Sequence, residues 1–232
     1  MTRDAYELFF EEFIGENKDR FFNFGLEQTI DANEISAEKA KEKWENLKLR
    51  LASGEQVYIR RYGAGGRNTK LYKDFYAYVF ENKKLKEDPT NNSMPRKLIE
   101  ELTGYMKTPR KGYTKIQNYQ VSHVFGKTKN VLAFTAPWNI VYLPKLLDPF
   151  TGHEAKGDDV TEFTKLFQER CVSKFKNMIL EYNEIMKNDA SSSKLSSGIE
   201  YVATKHDLNE KRKSDFARSV YSEFAPIPLE ND

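Results

Sequence analysis

From Val160 to Met186 apolar side chains recur at Phe163, Phe167, Phe175, Met178, Ile179, Tyr182 and Met186. Spacings built from threes and fours keep these positions on one side of a helix, so the sequence predicts a long amphipathic helix that must lay that side on a core. A chain of 232 residues is long enough to supply that core, as one large domain or two unequal ones. With 39% hydrophobic and 31% charged residues it is too apolar to be disordered and too charged to be a membrane protein. No apolar run approaches the roughly 18 residues of a spanning helix. The N-terminal MTRDAYELFFEEF has neither the basic start nor the small-residue cleavage site of a signal peptide, so the expected location is the cytoplasm, with no membrane partner. The single cysteine, Cys171, excludes an internal disulfide and a cysteine-ligated zinc scaffold, leaving oxygen or imidazole as ligands for any metal.

The remaining pattern is mostly helical with short strands. Asp4 to Phe13 carries helix formers and aromatics, and Ser36 is positioned to cap a helix running to about Leu51, with Trp44, Leu47 and Leu51 on its buried face. Gly54 ends it. Gln56 to Tyr62 reads as a strand, Gly63, Gly65 and Gly66 as a turn, and Thr69 to Phe80 as an aromatic helix whose spacing makes most of its rings core. The glycine cluster lacks the GxxxxGK[ST] and GxGxxG spacings and reads as a turn able to touch DNA backbone. Lys86 to Pro95, with two prolines and two asparagines, is the candidate linker, followed by a helix from Pro95 to Met106. Tyr119 to Phe125 and Trp138 to Leu143 read as strands joined by a loop of about a dozen residues. Ser191 to Gly198 reads as a flexible serine-rich break, and Asp207 to Phe224 as a last charged helix. The organisation expected is α+β, in three parts: a mainly helical region over 1–88, a core with its long following helix over 95–188, and a helical extension over 189–232.

Charge is segregated along the chain. The formal net charge is only +2, yet between Glu101 and Asp148 there is no acidic residue, while Lys107, Arg110, Lys111, Lys115, Lys127, Lys129 and Lys145 are all basic. A shorter acid-free window from Gln56 to Lys73 holds Arg60, Arg61, Arg67, Lys70 and Lys73. A surface that serves solubility alone intersperses both signs, so these windows point to a polyanion. Candidate DNA contacts are Lys111, Lys115, Lys127, Lys129, Arg60, Arg61 and Arg67.

The acid-free stretch also holds a constellation. His123 ends the first of the two strands, Asn139 opens the second, and Asp148 follows nine residues later, with His153 and Glu154 close behind. Together with the NIVYLPKLLD segment, this order resembles the HNH or His-Me finger endonucleases, over about 40 of the 232 residues. The resemblance implies a ββα-metal fold of two strands and a helix around one divalent cation. It implies His123 as general base, Asn139 as organiser of the intervening loop and Asp148 as metal ligand. Two positions depart from the family: Ser122 stands where an acidic ligand is common, and Pro149 follows Asp148 and disfavours helix there, which leaves His153 as the alternative ligand. The wider segment is similar to HNH-type restriction endonucleases, which implies sequence-specific cutting of double-stranded DNA by a homodimer.

Elementary chemistry fits this reading. Histidine alone has an unperturbed pKa near 6.5, suited to deprotonating water at neutral pH, and Mg²⁺ is satisfied by one or two carboxylates with phosphate oxygens and waters. Other readings stay open: a packed structural histidine at a strand end, an asparagine that simply starts a strand after Pro137-Trp138, and an Asp148-Pro149 turn. His206 reads as solvent-exposed. The rival function is a non-catalytic DNA-binding regulator.

Overall fold

The computed structural model describes residues 4–61, 68–152 and 155–229. Asp4 caps the first helix, its carboxylate accepting from the Tyr6 and Glu7 amides at 2.8 and 3.3 Å. That helix, α1 (Ala5–Phe9), runs into a π turn at Phe10–Ile14 and a 3₁₀ turn at Gly15–Asn17 before α2 (Lys18–Glu27) and a short strand, β1 (Ile30–Asp31). Then come α3 (Ala37–Ala52), β2 (Val57–Ile59), α4 (Thr69–Val79), β3 (Leu85–Glu87), α5 (Ser93–Thr103), β4 (Tyr105–Met106) and β5 (Thr114–Lys115). They are followed by β6 (Tyr119–His123), α6 (Val131–Phe134), β7 (Ile140–Pro144), α7 (Asp158–Asn188), α8 (Ser192–Lys205) and α9 (Glu210–Phe224). The fold is mixed helix and strand, mainly helical, as the α+β expectation has it.

The caps and breaks behave as the sequence indicates. The Ser36 hydroxyl accepts from Lys39 N and starts α3, whose Trp44, Leu47 and Leu51 are buried. Gly54, at φ +66°, follows its end. On α4, Tyr72, Phe75 and Tyr76 are buried and only Tyr78 faces solvent, stacked on Tyr201. The long helix extends over all of its expected span, with a kink at Phe175. Its Cys171 is buried, the thiol donating to the Trp138 carbonyl at 2.9 Å. Among the described residues no helix is long and apolar enough to cross a membrane.

Two stretches differ from expectation. Lys86 lies in a strand that pairs in parallel with β2, and the buried Asp88 accepts from the Thr90, Ser93 and Met94 amides, so the Lys86 to Pro95 stretch packs as structure rather than running free. The Asp88 carboxylate makes it a tight, capped turn into α5. Ser191 to Gly198 is not a break: α8 begins at Ser192. Leu195, Ile199 and Val202 are buried at helical spacing, and Gly198 lets α8 approach α4 so closely that a Cβ would lie 2.4 Å from a Val79 methyl. Gly198, which looks flexible in sequence, is there for close packing.

The sheet that matters for the site has the order β1-β7-β6 and is antiparallel throughout. His123 pairs with Ile140 at the end of β6. One cluster of buried apolar side chains takes residues from Phe10 to Ile227 and so from all three expected regions of the chain.

Candidate functional site

The turn after β6 is organised by Asn139. Its side-chain oxygen accepts from Phe125 N at 2.8 Å, and its amide nitrogen donates to the carbonyls of Gly126 and Ala133 at 3.1 and 3.0 Å. Three backbone groups of the loop are thereby satisfied by one buried side chain, while Val124 N closes the ladder on the Asn139 carbonyl at 3.0 Å. Asn130 caps α6 through Leu132 N and donates to the Tyr182 hydroxyl and the Glu223 carbonyl, both at 3.1 Å. From α4, the Tyr76 hydroxyl accepts from Val131 N and donates to the Lys129 carbonyl. The loop that joins the two strands is therefore pinned at both ends and in its middle.

His123 is 4% exposed. Its Nε2 lies 3.0 Å from the Phe134 carbonyl, and its ring stacks on the Phe134 ring at 5.4 Å with a 10° tilt. A carbonyl only accepts, so in the neutral ring Nε2 carries the hydrogen and Nδ1 the lone pair that a base requires. His123 and Asp148 line the same open cleft, of about 470 Å³. Asp148 sits half-buried in a 3₁₀ turn, Lys145–Thr151, which accommodates Pro149 where an α-helix would not. Among the described residues none hydrogen-bonds or ion-pairs its carboxylate, and no three His, Cys, Asp or Glu gather as a metal-binding group. His153, the alternative ligand, lies outside the described residues, as do Arg67 and the glycine turn.

The proposed DNA contacts divide sharply. Arg60 and Lys127 line the cleft. Lys111 and Lys115 are exposed beside β5 and do not line it, and Arg61, also exposed, is 3.6 Å from the Glu87 carboxylate. Lys129 is a correction: it is fully buried, its ammonium donating to the Arg60 carbonyl and, at 2.6 Å, to the Thr69 hydroxyl, so no phosphate can reach it. Sequence spacing could not separate it from Lys127, two residues away, because the turn that sends one outward and the other inward is set by α9 and α4. His206 is exposed, as expected, at 2.7 Å from Asp74.

Burial pushes the Lys129 ammonium down to about 8, against partial support from Glu223. Between about pH 8 and the ordinary lysine value of 10.5 the unfolded chain then holds more protons than the folded one. The contribution of Lys129 to stability is expected to rise with pH across that window, by up to about 1.4 kcal/mol per pH unit. Cys171 and the buried Tyr72, Tyr76, Tyr142 and Tyr182, whose pKa values burial raises, contribute in the opposite direction, so the Lys129 contribution is read as the difference between the wild type and Lys129→Met. Lys127, also lowered to about 8 by burial, acts in the same direction. Urea midpoints at the two ends of the window measure the rise, and Lys129→Met should reduce it; an unchanged rise would mean that Lys129 is not the desolvated group.

Three charged cleft residues were not among the expected site residues. Arg96 comes from α5, Lys107 follows β4, and Glu223 comes from α9, about eighty residues beyond the strand pair. Lys107 belongs to the acid-free stretch, a usable signal; nothing local marks the other two. Glu223 accepts from Lys129 N at 2.9 Å, and burial raises its carboxyl above the ordinary value despite that bond and the nearby Lys127 and Lys129. Lys107 is lowered, first by partial burial and then by the like charges of Lys145 and Arg96. The cleft is thus electropositive beside a histidine and a carboxylate.

The family described as "Uncharacterised protein PM1201" matches residues 35–229, a span that includes His123, Asn139, Asp148 and all the cleft cations. The chain belongs to the PM1201 family. It is 40% identical over 231 residues to "Uncharacterized protein PM1201" of Pasteurella multocida (strain Pm70), covering 97% of each chain, so the similarity to this PM1201 relative extends over the helices around the hairpin as well as the hairpin itself. No solved structure matches the chain.

Proposed function

We propose that this PM1201-family chain is a metal-dependent DNA endonuclease of the ββα-metal kind, acting on double-stranded DNA. The observation that carries the reading is the joint geometry of His123, Asn139 and Asp148: a histidine ending one strand, an asparagine clamping the turn beyond it, and a carboxylate on the same cleft. His123 would take a proton from water at Nδ1 while Nε2–H stays on the Phe134 carbonyl, which holds the ring in orientation as the charge develops. Asn139 keeps that carbonyl's loop in position. Arg60, Arg96 and Lys107, which line the cleft, draw the phosphodiester in.

The residues fit a hard divalent cation. Among the described residues a single available carboxylate, with no cluster of imidazoles or thiolates beside it, matches Mg²⁺, which retains waters and takes phosphate oxygens as further ligands. Asp148 would hold it, with His153 as the other candidate, and when bound the ion stabilises negative charge on the phosphate and the leaving oxygen. Symmetric double-strand cutting would further imply a homodimer.

A plasmid-nicking assay with and without EDTA tests the reading. Supercoiled DNA should relax with Mg²⁺ and stay intact with EDTA, whereas tight binding without cleavage would turn the assignment to a DNA-binding regulator. The ligand is decided by metal preference. Asp148→Ala is expected to lower Mg²⁺-supported cleavage further than His153→Ala, since an imidazole ligand would shift preference toward Mn²⁺, Co²⁺ or Ni²⁺. The reverse order across Mg²⁺ and Mn²⁺ would make His153 the ligand.

A further inference from the structure

The cations of the cleft come from distant parts of the chain, and they are not equally committed. Lys127 donates to the Ser222 carbonyl at 2.9 Å and is occupied by the fold. Arg96 is different: its Nε stands 3.8 Å from the Glu100 carboxylate, a loose pair one helical turn away on a half-exposed side chain, which leaves most of its N–H groups for another acceptor. Lys107 pairs with no carboxylate among the described residues and feels Arg96 and Lys145 as like charges. Arg60 has a buried Nε with no hydrogen-bond partner among the described residues, although its backbone is fixed by the bond from Arg60 N to the Thr128 carbonyl at 2.9 Å.

An unpaired buried guanidinium N–H is expensive, and gathering two further cations beside one cleft adds repulsion. The carboxylates at hand do not relieve this. Glu223 is engaged by Lys129 N, Glu100 reaches Arg96 only loosely, and Asp148, on the same cleft, ion-pairs with none of the three. An anion entering the cleft would offset the charge of all three residues, which line it together. A phosphate group is the matching shape, because its several oxygens accept from the fixed fork of a guanidinium and from an ammonium together.

We infer that Arg60, Arg96 and Lys107 form a phosphate subsite in the cleft, which takes a backbone phosphate next to the one that His123 and Asp148 face. The ligand's identity as a nucleic-acid strand rests on the nuclease reading, while its phosphate chemistry rests on these three residues. The subsite aligns the strand, so that the scissile phosphate is delivered to the histidine by the grip on its neighbour.

Binding is read by fluorescence anisotropy with a short labelled duplex in EDTA, across a salt series. Arg96→Ala and Lys107→Ala, both on the rim where folding is little affected, should each reduce the slope of log affinity against log salt by about 0.9, and the double variant should bind about 10- to 100-fold more weakly at low salt. Arg60→Lys, which keeps the charge but loses the fork, should weaken binding less than Arg60→Ala. In parallel, titrating inorganic phosphate should shift the Arg60 and Arg96 Nε resonances of the wild type in a saturable way, and the double variant should lose the Arg60 shift. Unchanged affinity and slope in the double variant would overturn the subsite. Phosphate shifts without any loss of duplex affinity would overturn the backbone assignment and give the site to a free phosphate-bearing ligand. The two readings fail separately: a folded His123→Ala that still cleaves, with binding that still depends on Arg96 and Lys107, strikes only the nuclease reading, whereas lost cleavage in His123→Ala with binding indifferent to Arg96 and Lys107 strikes only the subsite.

Discussion

His123→Ala is expected to lower DNA cleavage by at least about 10²-fold while leaving duplex affinity nearly unchanged, because general-base catalysis typically contributes 10² to 10⁴. The ring lies between the Phe134 ring and the cleft, with Nε2 held on the Phe134 carbonyl, so its loss removes the proton acceptor without touching Arg60, Arg96 or Lys107. A buried ring is also part of the packing, and its removal leaves the Phe134 carbonyl without its donor. Thermal unfolding monitored beside the nicking assay separates the two effects: the variant must remain folded at the assay temperature for the lost activity to count. A folded His123→Ala that cleaves at the wild-type rate would end the nuclease assignment in this form.

Asn139→Ala is expected to destabilise the protein by about 2–4 kcal/mol, since three backbone groups lose their partner and each buried unsatisfied group costs about 1–3 kcal/mol, less where water can reach it. Phe125 N and Gly126 O lie near the cleft and are partly rehydrated, whereas Ala133 O is buried and has no such relief. The urea midpoint should fall with an unchanged denaturant slope, the mark of lost stability in a native state of the same compactness. Cleavage should fall as well, because the Phe134 carbonyl that orients His123 belongs to the loop that Asn139 holds. A loss below about 1 kcal/mol would show that α6 and the α9 contacts hold the loop without it.

What the sequence makes legible follows from locality. Ser36 caps α3, Gly54 follows its end, and the apolar period of α7 and the spacing of His123, Asn139 and Asp148 are all set within one turn or one hairpin, where backbone geometry leaves few alternatives. The errors arise where a residue's role depends on something far away. The serine-rich run before Gly198 looks flexible by composition, yet it is helical, its serines outward, because Leu195, Gly198 and Ile199 are buried on one side, Gly198 against Val79 and Phe75 of α4. Lys86 to Pro95 looks like a linker until β2 supplies a strand to pair with it.

The same division runs through the candidate site. By itself the sequence determined the strand pair, the histidine and asparagine at its ends, the carboxylate nine residues on and the acid-free stretch around them. Only the tertiary structure decided that Lys129 turns inward beneath the Arg60 carbonyl while Lys127 reaches the cleft, and that α5 and α9 bring Arg96 and Glu223 to it. The physical reason is that a side chain's charge and hydrogen-bonding capacity are properties of its type, but its desolvation and its partners are properties of what packs against it. Those partners lie 60 to 94 positions away along the chain, a separation over which sequence pattern carries no register.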